Sequence, residues 1–418
     1  MRVVVSTYGA RGSVEPMAGL ALRLCERGAE VRVCAPPDGE FTELLAASGV
    51  RAVPVGAPVR PLVTTVRPGS AVGLAQRAAD LMAAQFGPVA EAAEGCDVVL
   101  ATGPLPVTAG ARSVAERLGV PYVYATHTPV VLPSPHRPPP GRRGRPLPRE
   151  VEDNRELWDL DARLANDMFG AMLGAFRDAA GLPPVDDVRG YAFTDRPWLS
   201  ADPVLSPWPT AGGGADGAVD VVGTGVWFRP VARPLPPEVA AFLAAGPPPV
   251  YVGFGSTPLG TAGPALARAA IEAARERGRR VILARGWAGL TPIDDGDDCL
   301  AVDEVDHRSL FARVAAVVHH GGAGTTATAA RAGTPQVIVP QAGDQPYWAD
   351  RVAALGLGTA RPTPSSSPSP SPSPETLSAA LATALRPETR ARAEALRGRI
   401  RDDGAAVAAR LLFETAGR

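Results

Sequence analysis

Residues 319–326 read His-His-Gly-Gly-Ala-Gly-Thr-Thr, a run whose residue types suit the binding of a phosphate group. The run follows the apolar segment Val314–Val318 and precedes an alanine-rich stretch, so we expect its glycines to lie where a strand turns into a helix. Glycines let the backbone approach an anion, and the unpaired N–H groups at a helix start attract negative charge. Thr325, Thr326 and a histidine before the turn add further donors. The alternative is a glycine turn that only lets a helix and a strand pack closely.

A second polar cluster follows the predicted strand Gln336–Pro340 and contains Gln341, Asp344 and Gln345. Because the carboxyl ends of parallel strands meet at one edge of a sheet, we expect this cluster to lie close to the glycine turn. Carboxylate and amide side chains suit the hydroxyl groups of a sugar. The alternative for Asp344 is a helix cap that satisfies backbone donors.

Two further positions follow predicted strands of the same half of the chain. Trp287 comes after the strand Val281–Arg285 and can stack on a flat base, although a tryptophan half-buried in a loop is equally ordinary. Ser256 ends the strand Val250–Gly255, whose glycines form another backbone turn able to face phosphate.

Short apolar runs alternate with helical patterns through both halves of the chain, which predicts two parallel sheets covered by helices. The length of 418 residues also favours two domains. A Pro- and Gly-rich stretch separates the halves, so we predict an N-terminal domain at 1–209, a linker at 210–235 and a C-terminal domain at 236–403.

The first helix is expected to begin at Glu15-Pro16, where Glu15 would cap it. The Ser-Pro repeat 362–374 is expected to be an exposed loop and receives no function.

Composition narrows the classes of partner. The net charge is −1 and no basic stripe is present, which argues against a nucleic-acid partner and favours small molecules.

The four cysteines are scattered, as expected in a reducing compartment. No apolar run is long enough for a membrane span, and the N-terminal residues lack the pattern of a signal peptide. We therefore expect a cytoplasmic protein without integral membrane association.

Several of these motifs together resemble the actinomycete natural-product glycosyltransferases of the GT-B fold, and most of all the glycopeptide-antibiotic (vancomycin-type) enzymes. The resemblance covers essentially the whole chain. The motifs that carry it are His320–Thr326, Pro340-Gln341 with Asp344-Gln345, Gly9–Pro16, Ala35–Asp38 and Leu132–His136. It implies an α/β fold of two doubly wound Rossmann-like domains facing across a cleft, with a C-terminal helix, 404–418, that crosses back to the N-terminal domain.

The resemblance also implies an inverting, metal-independent transfer from a dTDP- or UDP-sugar to an aglycone hydroxyl, with the nucleotide sugar as co-substrate and no separate cofactor. His320 matches the phosphate histidine of the family, and the sugar-contacting segment matches Gln341, Asp344 and Gln345. Val305 matches the loop that meets the base edge. The remaining matched positions are Gly322, Ala323, Gly324 and Thr325 at the phosphate turn, and Arg11, Gly12 and Ser256 on the interdomain phosphate side. An apolar acceptor site would be walled by Val55–Ala71 and Pro133–Asp161.

The chain departs from the family at Ser13, where these enzymes usually carry the Asp that deprotonates the acceptor. A serine hydroxyl is far too weak a base for that work. Three explanations remain: His127, after the strand Tyr122–Ala125, serves as the base; or the acceptor is a phenol, with a pKa of about 10, that needs little help; or the chain is catalytically impaired.

Two rival functions remain beside glycosyl transfer to an antibiotic aglycone. The first is a lipid or sterol glycosyltransferase, whose transient membrane contact would be made by the basic loop Arg137–Arg149. The second is an auxiliary protein that binds a nucleotide sugar without transferring it.

Overall fold

The computed structural model describes residues 1–64, 71–141, 146–209, 219–230, 232–360 and 372–417. They form two compact units, one of Met1–Pro230 with Asp402–Arg418 and the other of Val231–Arg401. Parts of the predicted linker (210–218 and 231), of the predicted acceptor walls (65–70 and 142–145) and of the Ser-Pro repeat (361–371) lie outside the described residues.

The first unit is built on a seven-stranded parallel sheet with the order β3-β2-β1-β4-β5-β6-β7. Val3, Val4 and Val5 are consecutive in β1 and all buried, because helices cover both faces of such a sheet. The strands are β1 Arg2–Thr7, β2 Glu30–Ala35, β3 Arg51–Pro54, β4 Val98–Thr102, β5 Tyr122–Thr126, β6 Trp198–Leu199 and β7 Val222–Gly223.

The helices of this unit connect successive strands or extend from them. They are α1 Arg11–Cys25, α2 Gly39–Ala46, α3 Val59–Thr64, α4 Ala71–Ala84, α5 Ala90–Ala93, α6 Leu105–Leu118, α7 Asn154–Ala179 and α8 Val188–Phe193, with a π-helical turn, Gln85–Val89, between α4 and α5.

Helix α1 begins earlier than its proline suggests. It starts at Arg11 after the N-cap residue Ala10, so the expected start at Glu15-Pro16 is wrong and Glu15 is not a cap. Pro16 lies inside the helix and cannot donate to the carbonyl of Gly12. Because Gly12 is exposed, water can hydrate that carbonyl, which explains how the proline is tolerated.

The second unit repeats the architecture with a six-stranded parallel sheet in the order β10-β9-β8-β11-β12-β13. Its strands are β8 Val250–Gly253, β9 Val281–Ala284, β10 Cys299–Val302, β11 Ala316–His319, β12 Gln336–Ile338 and β13 Gly358–Ala360. Its helices are α9 Pro237–Ala244, α10 Gly263–Arg275, α11 His307–Leu310, α12 Ala323–Ala332, α13 Gln345–Ala354, α14 Pro374–Ala384 and α15 Pro387–Arg397. Both sheets are doubly wound, as the alternation of patterns predicts. None of the described helices combines the length and apolar character needed to cross a bilayer.

The last helix, α16 Gly404–Ala416, packs on α1 within the first unit. Its first residue lies directly against the backbone that follows β7. A Cβ on Gly404 would lie 2.5 Å from the carbonyl oxygen of Val226 and 2.6 Å from that of Gly225. Only a residue without a side chain allows this approach.

Replacement of Gly404 by alanine is therefore expected to lower the free energy of unfolding by about 1–3 kcal/mol, because backbone cannot move aside as a flexible side chain can. Urea unfolding measures the effect. Gly174→Ala in α7 is the matched control, since nothing lies within 4 Å of a Cβ there. The control is expected to be neutral or stabilising by about 0.5–1 kcal/mol. An unchanged unfolding midpoint for Gly404→Ala would refute the close contact.

Candidate functional site

The carboxyl ends of β8, β9, β11 and β12 bring the predicted phosphate and sugar residues to one edge of the second sheet. The strand order reverses between β8 and β11, and ligands of doubly wound folds bind at such a switch point. The turns touch one another there. The Trp287 N–H donates to the carbonyl of Gly255 at 2.9 Å, and a Cβ on Gly255 would lie 3.6 Å from Cε1 of His320. The structure thus joins the turns that contain Ser256, Trp287 and the glycine run.

His319 lies inside the protein and holds the glycine turn. The Gly321 N–H donates to its Nδ1 at 3.1 Å, and its Nε2 lies 2.9 Å from Oε1 of Gln336. The Gln336 amide in turn donates to the carbonyl of Thr326 at 3.3 Å. Burial, with a smaller contribution from the neighbouring His320, lowers the pKa of His319 to about 3, so the ring is neutral at physiological pH.

His320 occupies a different environment at the start of the turn. Its Nδ1 is buried and has no hydrogen-bond partner among the described residues, and burial lowers its pKa to about 4. A Cβ on Gly322 would lie 2.6 Å from its Nε2, so the glycine leaves room for the ring. A neutral imidazole has one nitrogen that donates and one that accepts, and here Nε2 is the nitrogen that lies against the start of α12.

Helix α12 begins directly after this ring. Its N-cap residue, Gly322, supplies no side chain, and the first helical hydrogen bond runs from the Thr326 N–H to the Gly322 carbonyl at 2.9 Å. The N–H groups of Ala323, Gly324 and Thr325 therefore have no partner within the helix. The expectation that Thr326 offers a hydroxyl is wrong, because this buried side chain donates to the Gly322 carbonyl at 2.9 Å.

The conformation of the loop after β12 is fixed by hydrogen bonds between its own glutamine side chains and its backbone. Oε1 of Gln345 accepts from the N–H groups of Gln341 at 2.6 Å and Ala342 at 3.0 Å, while the Gln341 amide donates to the Val339 carbonyl at 3.1 Å. The side chain of Asp344 makes no capping hydrogen bond, so the cap alternative is wrong. Its Oδ2 accepts from the Trp348 indole at 2.7 Å, which fixes the carboxylate.

The loop also lies beside the glycine turn, as the sequence predicts: a Cβ on Gly321 would lie 3.1 Å from the carbonyl oxygen of Gln345. Sequence reasoning missed the contributions of Gln336 and Trp348. A glutamine at the start of the buried strand β12 is the signal that could have found Gln336.

Val305 has a buried side chain that packs in the core of the second unit, so only its backbone can meet a base edge. The next residue, Asp306, fixes this loop. Its carboxylate accepts from the N–H of Arg308 at 2.9 Å and from the N–H of Arg233 at 2.8 Å.

The first unit holds the remaining predicted residues. Arg11, Gly12 and Ser13 form the first turn of α1 rather than a loop. Nε of Arg11 lies 4.0 Å from Glu15 and 3.9 Å from Glu40, so its charge faces two carboxylates within this unit. The carbonyl of the partly buried Ser13 accepts from the hydroxyl of Thr7 at 3.2 Å.

His127 follows β5, which is separated from β1 by β4. Its Nδ1 lies 3.1 Å from the hydroxyl of Ser200, and its ring stands edge-on to Trp227 at 5.8 Å between centroids. Its Nε2 is buried without a partner among the described residues, and burial lowers its pKa to about 4. The ring is therefore neutral near pH 7 and can accept a proton, but it is a weaker base than an ordinary histidine.

The described residues contain no group of three His, Cys, Asp or Glu side chains placed to hold a metal ion. The arrangement offers instead a helix start, a neutral imidazole and amide side chains around one edge of a sheet. These groups can stabilise an anionic diphosphate and bind sugar hydroxyls.

Solved structures share this architecture. The spinosyn forosaminyltransferase superposes with a TM-score of 0.71 at 19% identity, covering 100% of this chain and 99% of the other. A glycosyltransferase solved in complex with dTDP superposes with a TM-score of 0.65 at 21% identity, covering 100% of both chains. The fold is that of the GT-B glycosyltransferases.

Sequence comparisons are more specific. Residues 293–406 match the family model described as erythromycin biosynthesis protein CIII-like, C-terminal domain. The vancomycin aglycone glucosyltransferase of Amycolatopsis orientalis is 51% identical over 100% of this chain and 98% of its own length. The dTDP-epi-vancosaminyltransferase of the same organism is 45% identical over 99% and 97%. The chain belongs to the vancomycin-type glycosyltransferases, as its motifs indicate, and is an enzyme of that class.

Proposed function

We propose that this protein transfers a sugar from a dTDP- or UDP-sugar to a hydroxyl of an antibiotic aglycone, with inversion at the anomeric carbon and without a metal ion. The observation that carries the proposal is the neutral imidazole of His320, whose Nε2 lies against Gly322 at the bare N-terminus of α12. A diphosphate seated there would receive hydrogen bonds from the helix amides and the imidazole. Both would stabilise the charge that develops as the sugar leaves.

The other donor residues have roles that fit their positions. The backbone at Val305 meets the base edge, Trp287 stacks on the base, and Gln341, Asp344 and Gln345 bind the sugar. Gly322, Ala323, Gly324 and Thr325 bind the phosphates, and we assign Ser256 of the second unit and Arg11 and Gly12 of the first unit to the phosphates as well. The names of the relatives favour a glycopeptide aglycone as acceptor, and the dTDP named for one relative and one solved structure favours dTDP over UDP.

Metal independence is supported by the chemistry of the donors. The groups around the proposed diphosphate position are N–H groups and an imidazole, which bind an anion directly. Divalent cations such as Mg²⁺ are instead held by carboxylates together with the phosphates.

In an inverting transfer the acceptor oxygen attacks the anomeric carbon opposite the leaving diphosphate and loses its proton to a base. Ser13 occupies the family position of that base, and we propose that His127 serves in its place through Nε2. Ser200 would accept the Nδ1–H and thereby leave Nε2 free to take the proton.

The test incubates the purified protein with vancomycin aglycone and either dTDP-glucose or UDP-glucose, with and without EDTA. We expect a mono-glycosylated product by mass spectrometry, a β linkage from the α-configured donor by NMR, faster turnover with the dTDP donor, and no loss with EDTA. Retained configuration or an EDTA-sensitive rate would contradict the mechanism. Binding of dTDP without release of dTDP from any donor and acceptor pair would favour the auxiliary function. Turnover of a sterol acceptor together with sedimentation on liposomes would favour the lipid alternative.

A further inference from the structure

His319 is the last residue of β11, and the positions of its neighbours define which ring nitrogen carries the proton. An N–H group can only donate, so Nδ1 accepts from the Gly321 N–H at 3.1 Å and carries no proton. In the neutral ring the proton is then on Nε2, which donates to Oε1 of Gln336 at 2.9 Å. The amide of Gln336 donates onward to the Thr326 carbonyl, so its orientation is fixed as well.

This chain of hydrogen bonds connects the two ends of the phosphate turn. His319 holds the amide that enters the turn, and Gln336 holds a carbonyl in the first turn of α12. Gly321 has a φ of +93°, a left-handed conformation in which its N–H is directed at the buried ring.

The same glycine is enclosed on its other side. A Cβ on Gly321 would lie 2.7 Å from Cγ2 of Ile338 and 3.1 Å from the carbonyl oxygen of Gln345. The glycine therefore has little freedom to move toward β12 or α13. The hydrogen bond to His319 is what fixes the remaining rotation of its peptide group.

We propose that His319 is a positioning residue for donor binding: its neutral, Nε2-protonated ring holds the Gly321 amide and thereby aims the α12 amides and His320 at the donor diphosphate. This assignment rests on the proposed function. The low pKa of the ring, about 3, is consistent with a permanent hydrogen-bond acceptor rather than a group that titrates during turnover.

A histidine that merely fills the core would behave differently on substitution. Its loss would lower stability and weaken binding of every part of the nucleotide to a similar degree. Loss of a positioning residue weakens diphosphate binding selectively, because the base loop at Val305 and Asp306 is held by separate hydrogen bonds.

The test compares His319→Leu with His319→Asn in the full-length protein. Leucine removes the acceptor at Nδ1. An asparagine Oδ1 can accept from the N–H two residues later, as in an Asx turn, so this variant restores the bond to Gly321. Thr334→Val is the matched control, since Thr334 is a fully buried residue of the same unit whose hydroxyl donates to the Phe311 carbonyl at 2.6 Å, away from the turn.

The readouts are urea unfolding, calorimetric titration with dTDP, NMR titration with thymidine, and kcat and KM for the donor. We expect His319→Leu to bind dTDP about tenfold more weakly or worse, with thymidine affinity unchanged, because small displacements of positioning groups have large effects. His319→Asn should recover most of the dTDP affinity. Thr334→Val should lose stability while keeping the wild-type ratio of the two affinities.

Several results would overturn the assignment. A wild-type ratio of dTDP to thymidine affinity in folded His319→Leu would make His319 an ordinary core residue, as would failure of a folded His319→Asn to recover affinity. If His319→Leu does not fold, Gln336→Leu is the second variant, because it removes the hydrogen-bond acceptor that holds the His319 ring. We expect it to weaken dTDP binding and leave thymidine binding unchanged. An unchanged ratio of dTDP to thymidine affinity in this variant also refutes the assignment. Absence of binding of both dTDP and UDP by the wild-type protein would refute the proposed function itself, which distinguishes the two failures.

Discussion

Replacing His320 with alanine is expected to lower kcat by about two to three orders of magnitude, the effect of removing one donor from a site where negative charge develops. The ring is neutral, because burial lowers its pKa to about 4, so under the proposed function it would act by donating a hydrogen bond to the leaving diphosphate. Its Nδ1 has no partner among the described residues, and no protein hydrogen bond at that atom would be lost with the side chain. We therefore expect little change in the free energy of unfolding.

Single-turnover kinetics with dTDP-glucose measure this effect separately from donor binding. His320→Gln keeps an N–H donor and should retain part of the activity. Thr328→Ala is the matched control on the same helix, where the hydroxyl only donates to the Gly324 carbonyl at 2.7 Å. If His320→Ala kept kcat within threefold of the wild-type value, the diphosphate would be stabilised by the α12 amides alone and the role given to His320 would be wrong.

Much of the fold could be predicted from the sequence because residues at the ends of its helices carry recognisable local signals. Helix α12, Ala323–Ala332, lies in the alanine-rich stretch where the sequence predicts a helix, since Gly322 precedes it and Gly333 ends it in a left-handed conformation with a φ of +71°. Helix α1 was misplaced at its start because a proline normally marks the first helical turn, whereas here an exposed glycine four residues earlier tolerates it.

The contacts that shape the site were harder to predict because they join residues far apart in the chain. Gln336 is 17 residues from His319, and Arg233 is 73 residues from Asp306, and neither pairing leaves a local pattern. The choice between Thr325 and Thr326 depends on a side-chain rotamer, since the Thr326 hydroxyl turns back to the carbonyl four residues earlier. Sequence therefore predicts where the phosphate turn lies, and the structure is needed to see how it is held.

Replacing Ser13 with aspartate is expected to raise kcat by about tenfold to a hundredfold at pH 7, at or below the lower end of the roughly 100- to 10,000-fold that a positioned general base contributes. Ser13 lies in the first turn of α1, at the position where the family usually has its carboxylate, and is only partly buried. A carboxylate there would be ionised at pH 7, since its ordinary pKa is about 4. Because burial lowers the pKa of the proposed wild-type base, His127, to about 4 as well, both proteins should lose activity below about pH 4, and the gain is measured as kcat at pH 7.

Two further variants show whether the gain is due to base catalysis. Ser13→Asn has the shape of the aspartate without its basicity, so it should give no gain. In the Ser13→Asp background, removal of His127 should cost less than it does in the native chain, because the new carboxylate takes over the proton that Nε2 of His127 would otherwise accept. Equal losses in both backgrounds would mean that His127 binds the acceptor or supports packing beside Trp227. A lower rate in Ser13→Asp with normal activity in Ser13→Asn would instead show that a negative charge is harmful at this position.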